Sequence, residues 1–198
     1  MRSTVLHESI DTADFVSAFP SKARQTAEFV VSDLPPTTIK PKGRVPVWLE
    51  GENLFLPYRI YNETPDSPLD GLPGMIRDCL YSGHHDGHVR ESSIGRAIKS
   101  GELMVVPFVF LLLGGYPIEI HQTIEESLDA SSLGDEEFEE FAANNHEFMA
   151  LTEARALSYH SAYYRSKAKA DYPALRLLDR WASSWALNRK ATRLLPPR

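Results

Sequence analysis

Three imidazoles and a carboxylate fall within five consecutive positions, at His84, His85, Asp86 and His88. Neutral imidazole is a common metal ligand. Three convergent ligands and one open position would let a zinc ion activate water. The four residues therefore make a metal-dependent hydrolase one reading of the chain. Their spacing argues against it. His84 and His88 are four apart, but Gly87 interrupts a helix between them, and no Glu follows the first His as in the helical zinc signature. A solvated turn between two helices is the competing reading.

A second group is Tyr159-His160 with Tyr163-Tyr164-Arg165. On a helix, Tyr159 and Tyr163 share one face, as do His160 and Tyr164. Tyrosine and arginine dominate binding hot spots, and Arg165 has the two-pronged geometry that grips a carboxylate or phosphate. An amphipathic helix that buries its rings and leaves hydroxyls at the rim explains the same residues. Arg59, in Tyr58-Arg59-Ile60-Tyr61, is a third candidate. Strand alternation turns Arg59 and Tyr61 away from Tyr58 and Ile60.

The elements that must carry these residues are mostly helical. Alternation of Val45, Val47 and Leu49, then of Leu54, Leu56, Tyr58 and Ile60, predicts a β-hairpin turning at Glu50-Gly51-Glu52-Asn53. A lone hairpin is marginal in water, so it should lie on a helical layer and contribute Trp48 and Phe55. From residue 70 onward the pattern predicts helices over 72–81, 88–98, 104–113, 117–128, 135–143, 146–168 and 174–188. Asp135 is the expected cap of the fifth of these helices. Before the hairpin, short helices around Phe15–Phe19 and from Ser21 to Val31 lead into a proline-rich connector at 35–43. The chain thus divides into an N-terminal arm and connector (1–43), a helical domain with an N-terminal hairpin (44–188) and a basic tail (189–198).

Within 86–98, Asp86, Val89-Arg90, Ser93, Ile94, Ala97 and Ile98 stand in a pattern that resembles the second helix of a HEAT repeat. There a turn Asp precedes a Val-Arg pair and apolar or small positions follow at helical spacing. The resemblance covers residues 70–130 as two helix pairs. It implies a mainly α fold of stacked antiparallel helix pairs, a role in binding other macromolecules, and no catalytic residues. Ser93 stands where such repeats usually have Ala. The His85-Asp86 dipeptide resembles that of HD phosphohydrolases, which also need an upstream His, and no His lies between His7 and His84.

Composition narrows the class. The chain has 198 residues, 42% of them hydrophobic, with a net charge of −6. A chain of this length can bury one core. Residues 125–140 hold eight acidic residues and no basic one, whereas residues 165–198 carry +7. Complementation of helix dipoles explains much of that asymmetry. Arg189, Lys190, Arg193 and Arg198 make too narrow a basic patch for nucleic acid. Cys79 is the only cysteine, so no internal disulfide can form. No apolar run reaches the roughly 20 residues of a membrane span, and the N-terminus lacks a signal-peptide pattern. A cytoplasmic location is expected. No phosphate loop, nucleophile elbow or dinucleotide fingerprint occurs, and no cofactor is expected. The reading is a non-enzymatic protein-interaction module with a protein partner bound at Tyr159, His160, Tyr163, Arg165 and Arg59. The hydrolase is the alternative. A symmetric dimer through Leu103–Leu113 and Trp181/Trp185 is a third reading.

Overall fold

The computed structural model describes residues 12–39, 43–65 and 67–181. The basic tail and residues 182–188 of the last expected helix, with Trp185, lie outside the described residues, as does the Lys40-Pro41-Lys42 part of the connector. The fold is mainly helical, with stacked helices and one small antiparallel hairpin. Among the described residues, no helix is long and apolar enough to cross a membrane.

The hairpin is β1 (Arg44–Leu49) and β2 (Glu52–Pro57). Leu49 pairs with Glu52, so only Glu50 and Gly51 form the turn. Both have positive φ, 49° and 84°, the requirement of a tight turn that follows the strand twist. The register places Val45 opposite Leu56 and Val47 opposite Leu54. Val47, Leu49, Leu54 and Leu56 are buried. Trp48 and Phe55 were expected on this inner face, and the structure corrects that. Strand period two puts them on the other side, where Trp48 is exposed and Phe55 lies under the Arg44 guanidinium at 4.7 Å. Tyr58 also departs from the expected alternation, because the strand ends at Pro57 and its ring turns outward.

The N-terminal segment packs on the body. A 3₁₀ helix (Thr12–Ala18) lies against β2, and α1 (Arg24–Ser32) lies against α2 (Gly71–Tyr81). Phe15, Phe19, Ala23, Ala27 and Val30 are buried, and Phe19 stacks on Phe108 at 5.7 Å. Ser21 does not cap the following helix. Its N–H and Oγ–H donate instead to the Glu52 carboxylate of β2, at 3.0 and 2.8 Å. A 3₁₀ turn, Ser21–Ala23, therefore precedes α1.

The stack runs through α2, α3 (Gly87–Lys99), α4 (Val106–Leu113) and α5 (Ile118–Asp129), with α3 packed on both α2 and α5. Pro107 sits in the first turn of α4, where its missing N–H costs nothing. Nearly all of α4 is buried. Phe110 meets Phe138, Phe141 and Trp181 at 5.8, 5.4 and 5.3 Å. The apolar surface expected to form a dimer face is thus occupied within the chain. Cys79 is buried against Met75.

The remaining helices are α6 (Asp135–Asn144), α7 (His146–Tyr163) and α8 (Pro173–Arg180). Gly134, not Asp135, is the cap of α6. Asp135 Oδ1 instead accepts from Trp181 Nε1–H at 2.7 Å and meets Arg180 Nε at 2.7 Å. Helix α7 stops at Tyr163 rather than near 168. The His160 ring reaches Lys167 O through Nε2 at 3.0 Å, which curls the chain back.

At the α6–α7 joint, Asn145 Oδ1 accepts from Trp48 N–H at 2.6 Å, and its Nδ2 donates to Trp48 O and Phe141 O, both at 2.8 Å. One amide therefore fastens the hairpin to the helices. Asn145→Ala removes all three bonds and is expected to cost on the order of 3 kcal/mol in urea unfolding. An unchanged midpoint would show that the hairpin does not depend on this amide.

His121 of α5 is fully buried, with Nε2–H donating to Leu112 O at 3.2 Å and no partner for Nδ1 among the described residues. Burial lowers its pKa from the ordinary 6.5 to about 4. Burial, then the neighbouring His85, also lowers that of His84. Below pH 6.5 the unfolded chain binds protons that the folded chain refuses, so stability is full above 6.5 and falls as pH drops toward 4. The His121 share is on the order of 3 kcal/mol. Urea midpoints measured between pH 7 and about 4 should fall less steeply in His121→Gln than in the parent.

Candidate functional site

The turn from α2 to α3 is where the hairpin exit meets the helical stack. Ile60 N–H donates to Gly83 O and His85 N–H donates to Ile60 O, both at 3.0 Å. This one bridge of parallel sheet ties residues 58–62 to the turn. His84 completes the joint. Asp86 N–H donates to its Nδ1 at 3.1 Å, so the proton sits on Nε2, which donates to Asn62 O at 3.0 Å. Both ring nitrogens are consumed by backbone, and burial holds the ring neutral. The Asp86 carboxylate caps α3 by accepting from His88 N–H at 2.8 Å and Val89 N–H at 3.4 Å. Those bonds hold its pKa below the usual carboxylate value.

The four residues of the expected metal cluster therefore do not converge. His84 and Asp86 are committed to the turn. His85 is exposed and stacks on Tyr61 at 5.5 Å. His88 projects into solvent, with its side chain 98% exposed. Among the described residues, no group of three or more His, Cys, Asp and Glu side chains stands within reach of one metal ion.

Arg90, one turn into α3, reaches back over the same joint. Its Nη1 donates to His84 O at 3.0 Å and to His85 O at 3.3 Å. The residue is only 7% exposed. Burial, then the charge of neighbouring Arg59, lowers its pKa, although guanidinium stays protonated. Arg59 is half-buried, and neither arginine forms an ion pair with any described residue.

These arginines line a cleft of about 130 Å³ between the hairpin exit and the turn from α4 to α5. Tyr58, Tyr116 and Tyr159 surround it, and Gly114-Gly115 borders it. At Gly115 an added Cβ would stand 2.9 Å from Leu112 O, so the turn holds only glycine without a shift. The cleft opens onto a run of tyrosines. Tyr116 meets Tyr159 at 5.9 Å and Tyr163 at 6.1 Å, and Tyr163 meets Tyr164 at 6.5 Å. Tyr164 O–H donates to Tyr116 O at 3.1 Å and the Tyr164 ring stacks on buried Tyr172 at 5.1 Å. Arg155 of α7, one turn before Tyr159, lies over the Tyr58 ring at 5.3 Å.

Of the residues expected to bind, Tyr159, Tyr163 and Arg59 come together here. His160 is buried instead, its ring 5.5 Å from Tyr172 and its Nε2 engaged by Lys167 O. Arg165 follows the end of α7 and is exposed, away from the cleft lining. The residues not anticipated as site members are Arg90, Tyr58, Tyr116 and Arg155. For Arg90 the sequence signal was its place one turn after the capping Asp86. Tyr116 carried only its position after the Gly114-Gly115 break. Comparison with known protein families, with curated proteins and with solved structures gave no match.

The two arginines differ in what they hold. Arg90→Ala leaves two carbonyls of a buried turn without their donor and is expected to cost about 3 kcal/mol. Arg59→Ala breaks no hydrogen bond to a described residue and should cost less than about 1 kcal/mol. Paired urea titrations check this order. Equal costs would mean that the turn does not depend on Arg90.

Proposed function

We propose that this chain is a binding module whose helical stack presents a tyrosine–arginine face to a protein partner. One observation carries the reading. Tyr58, Tyr116 and Tyr163 are 39%, 53% and 66% exposed, yet they and Arg155, Arg59 and Tyr159 form one surface built on two separate rims of a cleft. Exposed large aromatics clustered with arginine are typical of binding hot spots rather than of inert surface. Rigid tyrosine rings lose little conformational entropy on contact. The resemblance of α3 to a HEAT helix supports the same reading, because binding macromolecules is the usual work of such stacks. His84 and Asp86 serve the turn, which weighs against the hydrolase alternative.

The test is affinity capture of the tagged chain from its own cell, with Tyr116→Ala/Tyr163→Ala as control. The reading expects a stoichiometric partner that the folded double variant loses, with binding weakened at least about tenfold. A partner held equally by the variant would move the interface elsewhere on the molecule.

A further inference from the structure

We propose that the cleft bounded by Arg59 and Arg90 is a seat for a phosphate monoester dianion. The first argument is charge. Two guanidinium groups line the same cleft, and after burial itself the charge of Arg59 is the next cause that lowers the Arg90 pKa. Like charges so placed repel. Three arginines elsewhere in the chain pair with carboxylates: Arg96 with Asp78 and Arg176 with Glu125, each at 2.6 Å, and Arg180 with Asp135 at 2.7 Å. Neither Arg59 nor Arg90 has a carboxylate partner among the described residues. An anion between them would convert the repulsion into attraction.

The second argument is donor geometry. Arg90 spends only Nη1 on the turn. Its Nε and Nη2 make no hydrogen bond to any described residue, so the clamp fixes the guanidinium while leaving three N–H donors. That is pre-organisation: a buried fork held by its back edge loses little freedom on binding. The hydroxyls of Tyr58, Tyr116 and Tyr159 are likewise unengaged among the described residues. The cleft also touches Pro117, the N-cap of α5, and Ile120 in its first turn. That twelve-residue helix directs the positive end of its dipole to the same place.

The third argument concerns size and valence. A cleft of about 130 Å³ admits a phosphoryl group with the first atoms of its carrier. Two unpaired cations match a group carrying −1.5 to −2 at neutral pH better than a single carboxylate. If the surface binds a protein, as proposed above, the phosphate is a phosphorylated side chain of that partner. The chemical assignment itself needs only the free protein.

The experiment follows the side-chain Nε–H resonances of the full chain by NMR at constant ionic strength. Inorganic phosphate, O-phosphoserine, acetate, and a degenerate phosphoserine peptide library with its unphosphorylated counterpart are the probes. The proposal expects saturable shifts of Arg59 and Arg90 with phosphate at millimolar affinity, weaker effects with acetate, and about tenfold weaker binding in Arg59→Gln. Arg59→Lys keeps the charge and loses the fork, so it should fall between the two and serves if the Gln variant does not fold. Tighter binding of the phosphopeptides than of O-phosphoserine identifies a protein source, and equal binding identifies a small phosphorylated molecule. Acetate binding as well as phosphate, or shifts spread equally over Arg96 and Arg176, overturns the seat. A partner lost through Tyr116 and Tyr163 while phosphate has no effect would overturn the seat and leave the binding surface standing. Saturable phosphate binding without a partner would do the reverse.

Discussion

The molecule depends on how five residues between two helices dispose of their backbone polar groups. A buried turn cannot leave N–H and C=O groups unpaired. Here one imidazole and one guanidinium do the pairing. His84 takes the Asp86 N–H on one nitrogen and gives a proton to Asn62 O from the other. Arg90 takes the carbonyls of His84 and His85. Because Asn62 and Ile60 belong to the segment leaving the hairpin, the turn joins the sheet to the stack. Because Asp86 caps α3 and Arg90 lies one turn later, the same network sets where α3 begins. The cleft inherits its shape from this joint.

Much of the framework was legible in the sequence, and the reasons are local. The hairpin follows from period-two alternation on either side of a turn expected over Glu50-Gly51-Glu52-Asn53, of which the structure pairs Glu52 and Asn53 into the ladder. The boundaries of α2 and α3 follow from Gly83, Asp86 and Ser100-Gly101, residues whose conformational preferences act over a few positions. The Asp86 cap and the backward reach of Arg90 could also be read, since both are contacts within one turn of helix. The face of α3 was read less well. Val89 is only half-buried, while Arg90 lies inside with Ser93, Ile94 and Ala97, because this helix is covered by α2 on one side and α5 on the other.

What escaped was everything decided by distant neighbours. Nothing near Trp48 in sequence says which side of the hairpin the helices will cover. The end of α7 is set by an imidazole bond to a carbonyl seven residues on, not by a helix breaker. Asp135 looks like a cap and instead receives an indole and a guanidinium from α8. The cleft has the same character. Arg59, Arg90, Tyr116 and Tyr159 come from four separate elements, and only their juxtaposition makes two arginines without acids conspicuous. The histidine cluster erred in the opposite direction. Its density in sequence drew attention, but two of its members are used up by the turn that makes them adjacent.

The Asn145 amide has a consequence for how the chain is made. It joins a hairpin residue to one 97 positions later. A growing chain lengthens at about 5–20 residues per second, so Asn145 follows Trp48 by roughly 5–20 s. Throughout that interval the hairpin lacks this clasp and rests on the segment before it, through the Thr12–Ala18 helix and the Ser21–Glu52 bonds, and a lone hairpin is marginal. The nascent sheet must wait for its contacts with α6 and α7, a part of the protein that has yet to be translated. Any factor that shelters apolar surface at the ribosome would find its task here, in the first third of the chain, rather than in the helices that follow.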